Sequence, residues 1–196
     1  LSSAFVPTLT AERELRGEEA GWRLVRRVVT ALVVVLGAIT VLTVVFAPEI
    51  LRVYASGFSP EKSALAVSMA RIMSPFLLFI ALAAIAMGVL NTCGRFFVPA
   101  LAPASFNVAV ILGVTLLYPV LSARGIEPGL SLAIGAIVGG AMQFLVQLPS
   151  LRREGFRFRA DWSFADSSVR RVGRLMVPAT FGLAAVQINI LVDTTL

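Results

Sequence analysis

The chain contains no histidine and a single cysteine, and charged residues make up only 14% of its 196 positions. Without histidine the commonest general base is missing, together with most zinc ligand sets and the membrane acyltransferases that rely on a His base. One cysteine, Cys93, has no partner within the chain, so no internal disulfide framework can form. A soluble domain usually carries about 25% charged residues. Here 58% of residues are hydrophobic and the mean hydropathy is +0.89, which excludes an ordinary soluble fold.

The apolar residues are gathered into charge-free runs from Val28 to Pro48, Ile72 to Gly94, Phe96 to Ala123, Pro128 to Leu151 and Leu175 to Val192. Each reaches or approaches the roughly 20 residues with which a helix crosses ~30 Å of hydrocarbon. The fold expected is an all-α integral membrane protein with five transmembrane helices, A to E. The chain then divides into residues 1–27, the end of a preceding helix plus a charged cytoplasmic segment; helix A, 28–48; an external loop, 49–71; and helix B, 72–92. A cytoplasmic turn, 93–97, leads to helix C, 98–121. An external loop, 122–127, precedes helix D, 128–150. A basic cytoplasmic loop, 151–174, leads to helix E, 175–196. The sequence begins with Leu1 rather than Met and ends at Leu196 inside an apolar run, as an internal fragment of a longer protein would, and no signal peptide precedes helix A.

The net charge of +6 is distributed between the spans rather than along a nucleic-acid-binding face, so no nucleic-acid partner is expected. Thirteen basic residues fall on one set of connections: the amino-terminal segment, Arg95 in the B–C turn, and Arg152, Arg153, Arg157, Arg159, Arg170, Arg171 and Arg174 in the D–E loop. Four fall on the other: Arg52, Lys62, Arg71 and Arg124. Positive residues collect on the cytoplasmic side, so the first set is assigned to the cytoplasm. In the D–E loop, Arg152, Arg153, Arg170, Arg171 and Arg174 suit lipid phosphates while Phe156, Phe158, Trp162 and Phe164 sit at the interface.

Polar residues inside the spans are costly unless they face protein or water. Ser74-Pro75 predicts a kink or a helix start in span B. Gln143 and Gln147 share one face of span D, and Gly135 and Gly139 form a small-xxx-small packing face there. Asn107 follows Pro103 by one turn in span C, a pair that marks a candidate break in that helix. Gln187, Asn189 and Asp193 lie in span E, where a carboxylate suits a cation or an arginine partner. Asn91, Thr92 and Arg95 form the B–C turn. Residues 95–100, RFFVPA, are echoed by RLMVPA at 174–179: an arginine snorkels, apolar residues enter the interface, and proline occupies the first helical turn, where no donor is needed. The acidic residues near the spans, Glu49, Glu127 and Asp193, have no spacing that suits catalysis or a metal, so neither a catalytic residue nor a metal site is expected.

The stretch GVLNTCGRFFVPALAPASFNVAVI resembles the fourth and fifth transmembrane helices of the MurJ/MviN family, bacterial lipid II flippases of the multidrug/oligosaccharidyl-lipid/polysaccharide exporter superfamily. SSAFVPTL is similar to the end of that family's second helix, MQFLVQLPSLRREGF to its sixth helix and the following loop, and VPATFGLAAVQINILVDTTL to its seventh. Cys93-Gly94 departs from the bulkier, more polar pair usual in the family. The resemblance implies the amino-terminal lobe of a transporter of about fourteen helices in two pseudosymmetric lobes. It implies alternating access that carries lipid II, an undecaprenyl-diphosphate-linked glycopeptide, across the bacterial inner membrane without covalent chemistry. No cofactor is implied; a coupling cation or the membrane potential would drive the cycle. Membrane lipids and cell-wall synthesis proteins are the implied partners. The alternatives are another exporter of the superfamily, a membrane-embedded glycan or lipid transferase, and a structural scaffold.

Overall fold

The computed structural model describes residues 2–54, 57–163 and 173–174. The described residues contain helices and no strand: α1 Ser2–Arg16, α2 Glu18–Tyr54, α3 Pro60–Met73, α4 Phe76–Thr92, α5 Phe97–Ala123, α6 Leu130–Leu145 and α7 Leu148–Arg153. Among the described residues, four stretches are long and apolar enough to cross a membrane: Glu18–Val53, Pro60–Thr92, Phe97–Ala123 and Leu130–Arg153. They correspond to the spans A to D of the sequence. Span E lies outside the described residues.

Where the helices differ from the sequence reading, the causes are local. Residues 49–71 were expected as a loop, but α2 continues to Tyr54 and α3 begins at Pro60. Ser59 accepts a hydrogen bond from the Lys62 N–H at 3.4 Å, Pro60 opens the first turn and Glu61 lies near the positive end of the helix dipole. These are helix-start signals in a segment whose polarity suggested a loop. Within the Pro60–Thr92 stretch Ser74 and Pro75 separate α3 from α4, at the kink or helix start expected there. Span D is divided at Val146–Gln147 into α6 and α7. Pro149 has no N–H to donate back to Leu145, and the Gln147 N–H has already tightened onto Phe144 O at 3.1 Å. Span C is unbroken: α5 runs through both Pro103 and Pro119. Prolines are tolerated within membrane helices when other groups take up the freed carbonyls.

The described residues fall into two units, 2–30 with 158–163 and 173–174, and the described part of 31–157. In the first, Phe5 and Leu9 of α1 are fully buried, and Ala20, Leu24, Val25 and Val28 of α2 are buried as well. Gly17, at φ +84°, turns the chain between the two helices. Arg13 braces that turn, with Nη2 2.8 Å from Glu18 Oε2 and its guanidinium 4.9 Å from the centre of the Trp22 ring.

In the second unit α6 lies at the centre, packed against α3, α4, α5 and α7. Its glycines make this approach feasible. A Cβ on Gly139 would stand 2.7 Å from the Phe106 ring, and one on Gly140 2.8 Å from the Phe76 ring. A Cβ on Gly135 would meet Val110 O of α5 at 3.2 Å. The small-residue face expected at Gly135 and Gly139 is therefore the α5–α6 seam. Gly113 of α5 completes it, since a Cβ there would lie 2.7 Å from Gly135 Cα. The outer faces of α2 and α5 expose Val35, Val41, Leu42, Val45, Ile111, Leu112 and Leu116.

Candidate functional site

The end of α4 is built for a sharp reversal. Gly94 is at φ +71°, its N–H donates to Asn91 O at 3.1 Å, and the Arg95 N–H donates to Leu90 O at 2.8 Å. This is a Schellman stop, which fills the last carbonyls of the helix and starts α5 three residues later. The Thr92 hydroxyl donates to Val89 O at 2.7 Å, so it faces its own helix. α7 ends in the same way: Gly155 is at φ +93°, its N–H bonds Arg152 O at 3.1 Å, and the Phe156 N–H bonds Leu151 O at 3.0 Å. Leu151 and Phe156 are both buried.

These two stops are joined. Arg95 Nε donates to Glu154 Oε1 at 2.7 Å, across 59 residues of sequence. Arg95 is 65% exposed and Glu154 22% exposed. The basic rim therefore contains a neutralised pair, with Arg152, Arg153 and Arg157 exposed beside it in the sequence. Behind the rim, the fully buried Gln147 joins α4 to the α6–α7 break. Its Nε2 donates to Gln143 O at 2.9 Å, the carbonyl left empty by the tightened turn, and to Ala83 O of α4 at 3.2 Å. Its Oε1 has no hydrogen-bond partner among the described residues.

A second polar cluster lies in the first unit. Asp161 accepts from Arg27 Nε at 3.0 Å and from the Ser163 N–H at 3.0 Å. The Asp161 N–H donates to Thr30 Oγ1 at 3.2 Å, and that hydroxyl donates to Arg26 O at 2.8 Å. Partial desolvation pushes the Asp161 carboxyl up, but the Ser163 hydrogen bonds and the Arg27 guanidinium outweigh it, so its pKa is held below the usual carboxylate value. The segment after α7 is thereby clasped to the start of the first span.

Of the residues singled out from sequence, Asn91, Thr92 and Arg95 share the α4–α5 turn, with Asn91 and Thr92 half-buried. Asn107 is exposed on α5, whereas its neighbour Phe106 faces α6. Arg152 and Arg153 are exposed in the last turn of α7, and Arg174 is exposed. Gln187, Asn189, Asp193, Arg170 and Arg171 lie outside the described residues. Sequence reasoning missed Glu154, Asp161 and the α4 contact of Gln147. Glu154 carried a faint signal as the lone acid in the run SLRREGF. Among the described residues no cluster of His, Cys, Asp or Glu could hold a metal ion.

Stacked apolar helices with polar stops at their ends define a multi-pass membrane protein. The sequence model described as "Lipid II flippase MurJ" matches residues 1–196, so the chain belongs to the MurJ family of bacterial membrane proteins. It is 36% identical over its full length to the lipid II flippase MurJ of Burkholderia cenocepacia, covering 38% of that sequence. It is 32% identical over its full length to the probable lipid II flippase MurJ of Haemophilus influenzae, covering 39% of it. A solved structure, "Lipid II flippase MurJ, inward closed conformation", superposes on 88% of the chain and 35% of its own length at a TM-score of 0.68 and 26% identity. The chain thus spans about two-fifths of the length of these curated relatives.

Proposed function

We propose that the protein to which this chain belongs moves lipid II from the cytoplasmic to the outer leaflet of the bacterial inner membrane by alternating access, as a transporter and not an enzyme. The observation that carries this reading is the family match across residues 1–196, supported by the fold likeness to a solved flippase. The task is physical: a diphosphate and its glycopeptide need hydration and charge pairing while the polyprenyl tail remains in lipid. The charge bias of thirteen basic residues against four supports a cytoplasmic position for the α4–α5 turn and the segment following α7.

On this reading Arg95 spends its charge on Glu154 and serves the rim rather than the substrate, with Asn91 and Thr92 beside it in the turn. Asn107, Gln187, Asn189 and Asp193 are the cavity-lining candidates. Arg152, Arg153, Arg170, Arg171 and Arg174 meet lipid phosphates on the cytoplasmic side. A cation gradient or the membrane potential supplies the drive, and cell-wall synthesis proteins consume the product.

Depletion of the full-length protein, followed by an assay of lipid II exposure at the outer leaflet, tests the proposal. Lipid II should accumulate in the cytoplasmic leaflet. Unchanged outward movement would reject the reading.

A further inference from the structure

Two prolines and one tightened turn empty three backbone carbonyls in the region where α2, α3 and α4 meet, and three side chains fill them. Pro48 lies inside α2 and has no N–H, so it cannot make the helical bond to Val44 O. Arg71 Nε of α3 donates to that carbonyl at 3.1 Å. Pro75 likewise has no N–H for Arg71 O, and the Ser74 hydroxyl donates to it at 3.1 Å. The Leu78 N–H closes onto Pro75 O at 3.1 Å rather than reaching back to Ser74 O. Thr40 Oγ1 of α2 donates to Ser74 O at 3.4 Å.

The exchange is reciprocal. α3 mends the defect in α2, and α2 mends the defect between α3 and α4. An unfilled carbonyl away from water is costly, and here each helix supplies a donor that the other's defect lacks. A guanidinium suits this role because it remains charged and projects its N–H donors in a fixed plane.

We infer that Arg71 is a positioning residue that ties the Pro48 defect of α2 to the Ser74–Pro75 break, so that these segments change conformation together during transport. The inference rests on the transport reading above, yet its main readout does not depend on the substrate. Spin labels at Val53 and Lys62, placed in the full-length protein with native cysteines replaced, would report the distance between the end of α2 and α3. With Arg71 present the distance distribution is narrow. Arg71→Met should broaden it and lower lipid II flipping roughly tenfold, the scale of one lost charge-assisted hydrogen bond.

Adding Pro48→Ala restores an N–H to Val44 O. The double variant should regain thermal stability but keep the broad distribution and the slow flipping. An unchanged distribution in Arg71→Met would overturn the inference, and so would a double variant that recovers flipping along with stability. If Arg71→Met alone does not reach the membrane, the double variant with Pro48→Ala, which keeps the arginine absent while refilling Val44 O, carries the same distance prediction and the same refutation. If the unaltered protein moves no lipid II, the transport reading fails, while the distance measurement still decides the role of Arg71.

Discussion

Replacing Gly113 by alanine tests the α5–α6 seam at its least forgiving point. The new methyl carbon would stand 2.7 Å from Gly135 Cα and 3.4 Å from Gly135 N. Carbon atoms settle at about 3.5–4.0 Å, so the helices would have to part by about 1 Å, and the obstacle is backbone that no rotamer change can move aside. A gap of that size forfeits about a quarter to a half of each contact across the seam. Alanine gains up to ~1 kcal/mol over glycine in a helix interior, but overpacking costs ~1–3 kcal/mol, and the loss of seam contacts adds to it. A net destabilisation of about 1–2 kcal/mol is expected. Gly37 is the matched control: it lies in α2, and a Cβ there meets nothing within 4 Å among the described residues. Thermal unfolding of the two full-length variants in one detergent compares them directly, with Gly113→Ala melting below the parent and Gly37→Ala at or above it. Equal or reversed melting temperatures would show that the seam is not the close backbone contact described.

Three further outcomes follow from the polar contacts. Gln147→Leu strips the donor from Gln143 O and Ala83 O in a buried site and should cost about 1–2 kcal/mol, read as a lowered melting temperature; no change would mean the clasp contributes nothing. Asp161→Asn tests the clasp in the first unit. Because the folded carboxyl titrates below its unfolded value near ~3.9, its stabilisation is present above that pH and is lost as pH falls through the folded value, so parent and variant should differ in stability at pH 7 and converge in strong acid. Arg95→Ala removes an ion pair whose arginine is 65% exposed, so it should cost less than about 1 kcal/mol and leave flipping nearly normal; a large loss of flipping at normal abundance would return Arg95 to the substrate path.

The spans were legible because a bilayer demands long charge-free runs, and the sequence shows them without ambiguity. The small-xxx-small face was legible for the same reason that it works: glycine at i and i+4 leaves a groove on one side of a helix. Gly113 was not, because its role depends on which neighbouring helix fills the groove. α3 was hidden by its polarity, although Ser59, Pro60 and Glu61 form a helix start. Pro103 suggested a break that α5 does not contain, since one missing N–H does not end a long helix in lipid. The pairing of Arg95 with Glu154 and of Arg27 with Asp161 spans 59 and 134 residues of sequence. Charge type alone could not have assigned either partner among so many arginines.

The most direct test of the flippase assignment is reconstitution. Purified full-length protein would be placed in vesicles containing labelled lipid II, with a membrane-impermeant reagent reporting how much reaches the outer leaflet. Transport should proceed faster than in protein-free vesicles and respond to an imposed cation gradient or membrane potential. Lipid II that remains as inaccessible as in protein-free vesicles, whichever gradient is applied, would contradict the account.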